Sequence, residues 1–144
     1  MFEVGSERTA AIAALLSEFC WCADNDRGDE IGALFTEDAI VETPHFRLDG
    51  RGEIEASFTA RSGTKLSRHC WTNLRITALD ERRYRVDSNM MTTVGALPAP
   101  QPSGRLVIGS CIDEILFADD GRPLFKSRSL QIAFEGSLAG EIPA

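Results

Sequence analysis

Basic clusters, paired cysteines and glycine-rich phosphate loops are all missing from this 144-residue chain. It sets 15 Lys and Arg against 22 Asp and Glu, a net charge of −7, and no run of cations is available to neutralise a phosphate backbone. Nucleic acid is therefore not an expected partner. Cys20, Cys22, Cys70 and Cys111 show no CxxC spacing and sit in apolar segments, which predicts buried, reduced thiols in a cytoplasmic protein. Long uninterrupted apolar runs are lacking too. The stretch AAIAALLSEFCWCA at residues 10–23 is broken by Glu18, has no basic flank and runs into DNDRGDE rather than a small-residue cleavage site. Neither a signal peptide nor a membrane span is expected there. Ser–His–Asp nucleophile signatures, Walker-type loops and internal repeats are absent. Histidine itself is scarce, with only His45 and His69 present.

What remains is the pattern of one compact domain, residues 1–144, with 43% hydrophobic residues to build its core. Helical spacing comes first. Ser6 offers an N-cap, and Ile12, Leu15, Leu16, Phe19 and Ala23 recur along one face, predicting a helix from residue 7 to about 25. DEIGALF reads as a second, short helix, DAIVETP and FRLDG as short strands, and EIEASFTARS as a third helix closed by Gly63. From residue 66 the period changes. Residues 66–79, 83–96, 105–118 and 123–136 are four long runs rich in Val, Ile, Thr, Phe and Leu, separated by DERR, LPAPQPSG and ADDG. Three N-terminal helices against a curved, mainly antiparallel sheet make an α+β domain, a cone-shaped barrel enclosing a pocket.

Two strands carry polar residues that a packing surface does not need. In SRHCWTNLRI at residues 67–76, alternation places Ser67, His69, Trp71 and Asn73 on one face. In the last strand Leu124, Lys126, Arg128, Leu130, Ile132 and Phe134 share a face, so two cations lie on an apolar stripe and require a partner or a ligand. Cys70 adjoins His69 and points to the opposite face, which argues against a metal site at this position.

The arrangement of Ile12, Leu15, Leu16, Phe19, Cys22, Ala23 and Asp24, then LF.EDA, then I.ASF..R ending at Arg61, then RH..TN around His69, then DG....KSR ending at Arg128, resembles the SnoaL-like group of the nuclear transport factor 2-like superfamily. That superfamily includes scytalone dehydratase, ketosteroid isomerase, limonene epoxide hydrolase and hexachlorocyclohexane dehydrochlorinase. The resemblance spans nearly the whole chain and implies the cone-shaped α+β fold. It implies Asp24 and His69 as an acid–base pair and Arg128 as a stabiliser of developing negative charge. The chain departs from the dehydratase pattern where a second histidine would stand, near Ser88 and Asn89, and from the dehydrochlorinase pattern near Phe19, where a lysine would stand.

On this reading the expected function is a cofactor-independent lyase or isomerase of dehydratase or cyclase type. His69 moves a proton, Asp24 orients it, and Phe19, Phe35, Trp71, Asn73 and Met90 line a pocket for a small hydrophobic, cyclic or aromatic molecule. Three alternatives stand beside it. His69 is a satisfied polar group in a barrel wall, Arg128 forms a salt bridge with Asp113, Glu114 or a partner subunit, or Asp26 replaces Asp24, since the helical wheel puts Asp26 nearer the apolar stripe. Two other functional classes stay open: a non-catalytic binding or assembly module resembling the small subunit of ring-hydroxylating dioxygenases, and an epoxide-type hydrolase whose Asp–Arg–Asp cluster cannot be placed here. The long strands carry apolar residues on both faces, for instance Val107 and Ile115 against Ile108 and Ile112, so a homodimer covering the outer face is expected.

Overall fold

The computed structural model describes residues 4–139. Helix α1 (Ser6–Asp24) buries Ile12, Leu15, Leu16, Phe19, Cys20 and Cys22, the stripe that helical spacing predicts. Gly5, not Ser6, occupies its N-cap, and its carbonyl accepts the Thr9 N–H at 3.0 Å. The expected second helix is a single turn, α2 (Gly28–Ile31), followed by a 3₁₀ turn over Gly32–Leu34. Phe35 leaves that turn to open strand β1 (Phe35–Glu42), which pairs with β2 (Arg47–Asp49). Helix α3 (Arg51–Arg61) follows, buries Ile54 and Phe58, and is succeeded by Gly63 at φ +74°, a left-handed conformation that suits a residue without Cβ. Arg51 fastens α3 to the sheet, because its Nε and Nη2 both donate to the Phe35 carbonyl at 3.0 and 2.7 Å. Gly28 lets α2 lie directly on α3: a Cβ there would stand 2.3 Å from the Phe58 carbonyl oxygen.

Four long strands complete the sheet: β3 (Leu66–Ala78), β4 (Arg83–Gly95), β5 (Ser103–Phe117) and β6 (Pro123–Ala139). The spatial order is β2-β1-β6-β5-β4-β3, antiparallel except for the parallel β1–β6 pair. The sheet curves without closing, with β2 and β3 as its edges, and the helices lie in its concave side. Curvature has a local cause in register shifts between Thr72 and Arg75, between Ile108 and Gly109, and between Glu114 and Ile115.

These shifts also overturn simple alternation. In β3, Ser67, His69 and Trp71 are turned inward, but Asn73 sits in the bulge at φ +57° and is exposed; beyond it Leu74, Ile76 and Ala78 pack against the core instead. In β6, Phe125 is fully buried before the bulge and Arg128 after it, so Lys126 does not share the face of Arg128 and lies 3.8 Å from Asp38. A further shift leaves Leu130 and Ile132 on the inner wall and Phe134 70% exposed on the outer one. The aromatic heart of the core is Phe19, Phe35, Phe58 and Phe125, whose rings meet at 5.1–6.1 Å between centroids, mostly edge to face.

Candidate functional site

The last turn of α1 and the start of β3 come together through one carboxylate. Asp24 Oδ1 lies 2.6 Å from His69 Nδ1 and accepts the Ser67 hydroxyl at 2.9 Å, while Oδ2 accepts the His69 backbone N–H at 2.8 Å. Burial by itself raises the Asp24 pKa, yet the bonds from the His69 ring, the His69 backbone and Ser67 outweigh it and hold the carboxyl below its ordinary range. A carboxylate accepts, so Nδ1 carries a proton and Nε2 is the free nitrogen; Nε2 has no protein partner among the described residues. Asp26 is not in this arrangement. It accepts the Gly63 N–H at 2.7 Å and ties the end of α1 to the end of α3.

His69 faces a cavity of about 200 Å³ whose wall includes Phe19, Phe58, Met90, Val107, Leu130 and Ile132. A second space of about 290 Å³ adjoins it and shares Phe46, Phe58, Arg61, His69 and Arg105 as a common wall. Asp24 lies behind His69, on a shallow outer groove with Trp21 and Trp71.

Arg128 is 5% exposed and lines the inner cavity. Its Nε and Nη2 donate to the two carboxylate oxygens of Asp113 at 2.9 and 3.2 Å, and its Cζ lies 4.3 and 4.4 Å from the ring centroids of Phe19 and Phe125. Burial opposes the charge, but the facing Asp113 carboxylate draws the Arg128 pKa above its ordinary value, so the guanidinium stays protonated. Nη1 is buried and has no partner. The guanidinium thus borders the cavity while being held by Asp113, and its Nη1 is enclosed by protein without a partner.

Of the expected pocket-lining residues, Phe19 and Met90 are in the cavity wall. Phe35 is not: it is fully buried behind Phe19 and Phe125, because β1 begins one residue after the 3₁₀ turn and directs its first side chain into the core. Trp71 is half-buried with its indole N–H on Ser17 Oγ at 3.0 Å, which anchors it to α1 and to the outer groove. Asn73 is carried outside by its bulge and accepts the Thr72 hydroxyl at 2.8 Å. Phe46, Phe58 and Arg61 also line the cavities and are not among the expected pocket residues, although Phe58 follows Ile54 at helical spacing and Arg61 lies one turn further along α3.

Among the described residues one group has metal-ligand geometry: Glu18, Cys22 and Glu30 offer ligand atoms within 4.8 Å of one another. It lies apart from the cavity wall. Burial and the neighbouring Glu18 push the Cys22 thiol up to about 11, so it is a protonated donor toward Glu18 and Glu30 rather than a thiolate.

A model of the SnoaL-like domain matches residues 6–129. The chain belongs to the SnoaL-like family. Similar folds occur in a provisionally assigned scytalone dehydratase from Novosphingobium aromaticivorans, with TM-score 0.79 and 21% identity over 94% of this chain and 89% of that one. A type 2 hexachlorocyclohexane dehydrochlorinase, LinA, has TM-score 0.79 and 16% identity, covering 94% and 92% of the two chains. A provisionally assigned aromatic ring hydroxylase, also from Novosphingobium aromaticivorans, has TM-score 0.80 and 17% identity over 94% and 96%. No curated protein matches the chain. At these identities the likeness speaks for the fold of this SnoaL-like domain, while chemistry has to be argued from its own residues. No helix among the described residues is long and apolar enough to cross a membrane.

Proposed function

We propose that this SnoaL-like chain, residues 1–144 as a single domain, is a cofactor-independent lyase or isomerase of dehydratase or cyclase type. It acts on a small hydrophobic cyclic molecule. The observation that carries the reading is the contact of His69 Nδ1 with Asp24, which leaves Nε2 unpaired at an apolar cavity. Nε2 takes a proton from a carbon beside a carbonyl; the C–H electron pair forms a C=C bond to the carbonyl carbon, and the carbonyl π pair moves onto its oxygen. Asp24 fixes the tautomer and stabilises the imidazolium. The protonated guanidinium of Arg128, which borders the same cavity, suits the oxygen that becomes anionic. The imidazolium then returns its proton, either to a departing β-hydroxyl, which leaves as water with formation of a C=C bond, or to another carbon, which completes an isomerisation. Neither outcome consumes a redox equivalent, consistent with a reaction that needs no cofactor.

A screen of cyclic hydroxy-ketones by thermal shift finds binders, because a ligand of the native state raises apparent stability. Proton NMR in deuterium oxide then reads loss of the hydrogen next to the carbonyl. Exchange that proceeds equally well in His69→Ala removes the assignment.

Assembly is the second part of the proposal. Cys70, Met91, Ile108 and Phe134 lie side by side in register across β3, β4, β5 and β6 on the outer face, with Met91 44% and Phe134 70% exposed. Such a row favours a homodimer that covers it. The same exposed row supports one alternative, a non-catalytic assembly module that places it against a different subunit.

A further inference from the structure

Arg61 is a cation without a counter-ion at the place where the two adjoining cavities meet. Its Cζ lies 4.7 Å from the ring centroid of Phe58 and 5.2 Å from that of Phe46, and its one side-chain bond is from Nη2 to Ser57 Oγ at 3.2 Å. No carboxylate of the described residues lies within ion-pair distance. Lys65, which lines the outer space four residues later, has none either. Most other charges of this wall have ion-pair partners, and Asp26 is the exception, a carboxylate held only by a backbone N–H. Arg105 has Glu135, Arg128 has Asp113 at 2.9 Å, and Glu42 has Arg47 at 2.9 Å. Burial alone holds the Arg61 pKa below its ordinary value, while the guanidinium remains charged at neutral pH. A chain of net charge −7 thus keeps two cations without ion-pair partners beside an apolar cavity, against the single unpaired carboxylate of Asp26.

We infer that the substrate is an amphiphilic acid, a hydrophobic ring system bearing a carboxylate, and that Arg61 binds this carboxylate where the two adjoining spaces meet, with Lys65 in the wall of the second. This rests on the proton-transfer reading of His69 for which end of the molecule reacts; the anion site itself stands on the Arg61 geometry. Three polar points order the ligand. The Arg128 guanidinium borders only the first space, whereas His69 and Arg61 border both, with Phe19, Phe58, Met90 and Leu130 around the apolar part. A planar guanidinium matches a carboxylate through two parallel bonds. A dianionic phosphate fits less well, because Arg61 lies in the last turn of α3, where the helix dipole adds negative potential. A purely structural guanidinium stacked on Phe46 and Phe58 is the competing account, and it makes no distinction between an acid and its amide.

The test uses naphthalene-2-carboxylate, biphenyl-4-carboxylate and cyclohexylacetate, each paired with its neutral carboxamide. They are titrated by calorimetry at pH 7 into wild type, Arg61→Gln, Arg61→Lys, Lys65→Gln and His69→Asn. At least one acid is expected to bind wild type about tenfold more tightly than its amide, the scale of one charge-assisted contact. Arg61→Gln should erase that preference while leaving amide binding in place, Arg61→Lys should keep part of it, and His69→Asn should keep it whole. If no acid of the set is preferred over its amide by wild type, the inference falls, whether or not any variant folds. A preference that survives Arg61→Gln, or disappears only in Lys65→Gln, also overturns the assignment to Arg61. Failure here leaves the deuterium-exchange result for His69 untouched, and failure of that exchange leaves the acid-over-amide preference standing.

Discussion

Asp24 and His69 are 45 residues apart in sequence, yet the carboxylate of one binds both the ring and the backbone N–H of the other, at 2.6 and 2.8 Å. The double contact orients the imidazole through its own main chain, so rotation of the ring away from the cavity breaks a bond that the strand keeps in place. The expected consequence is a split between binding and turnover. His69→Ala should lower the rate of any proton transfer by about 10²–10⁴ with ligand affinity nearly unchanged, because a base acts mainly in the transition state. Asp24→Asn should retain the fold and lower the rate, since an amide no longer stabilises the imidazolium. Steady-state kinetics with equilibrium binding on the same variants checks both. Equal losses in affinity and rate would mark the pair as part of the binding wall instead.

The same bonds predict how stability depends on pH. Asp24 has a folded-state pKa below 3.8, its ordinary value, so its carboxylate contributes stability that is fully present above that value and is lost as pH falls through the lower folded one. Urea unfolding of wild type and Asp24→Asn should therefore show a gap that is constant from about pH 5 upward as far as this carboxylate is concerned, and that narrows below about pH 4. A gap that widens on acidification would contradict the depressed pKa.

The helices and the four long strands were legible because their periods are strong: Ile12, Leu15, Leu16 and Phe19 mark α1, and β-branched runs mark β3 to β6. The SnoaL-like fold followed from motifs scattered over the chain, and the matched span of residues 6–129 bears that resemblance out. What alternation cannot carry is an extra residue. Asn73 and Lys126 each sit at a bulge, and every side chain beyond a bulge changes face, which put Asn73 in the pocket and Lys126 beside Arg128 on paper. The choice between Asp24 and Asp26 was hidden for a different reason. The helix ends at Asp24, and Asp26 has left-handed φ, so a helical wheel extended past that point assigns directions to residues that are no longer helical.

Arg128 and Asp113 form a buried ion pair in which each charge exists at the expense of its hydration. Removing one partner strands the other. Asp113→Leu is expected to destabilise the fold by about 3–5 kcal/mol, and Arg128→Met by a similar amount, whereas the two replacements together should cost less than the sum of the single losses. A double-mutant cycle by chemical denaturation reads the difference. The double variant should also lose whatever rate depends on the Arg128 guanidinium, which separates a structural pair from a catalytic group. Additive losses in the cycle would mean that the two charges do not depend on one another.

Phe134 and Met91 flank Ile108 on the outer sheet face, and three apolar side chains abreast are a poor surface to leave in water. In the homodimer proposed here each copy covers the row of the other through a two-fold axis, so a charge placed on the row meets its own image. Phe134→Glu should therefore place two carboxylates close together and shift the molecule to monomers, with the strands otherwise intact since the residue packs against nothing within its own chain's core. Multi-angle light scattering at micromolar concentration checks the mass, and circular dichroism checks that the fold survives. Phe134→Ala should weaken association less, because it removes apolar area without adding like-charge repulsion. A wild-type protein that is already monomeric at micromolar concentration ends the homodimer proposal. The row would then be left to a different subunit, and co-purification from the native host would give a partner rather than a second copy of this chain.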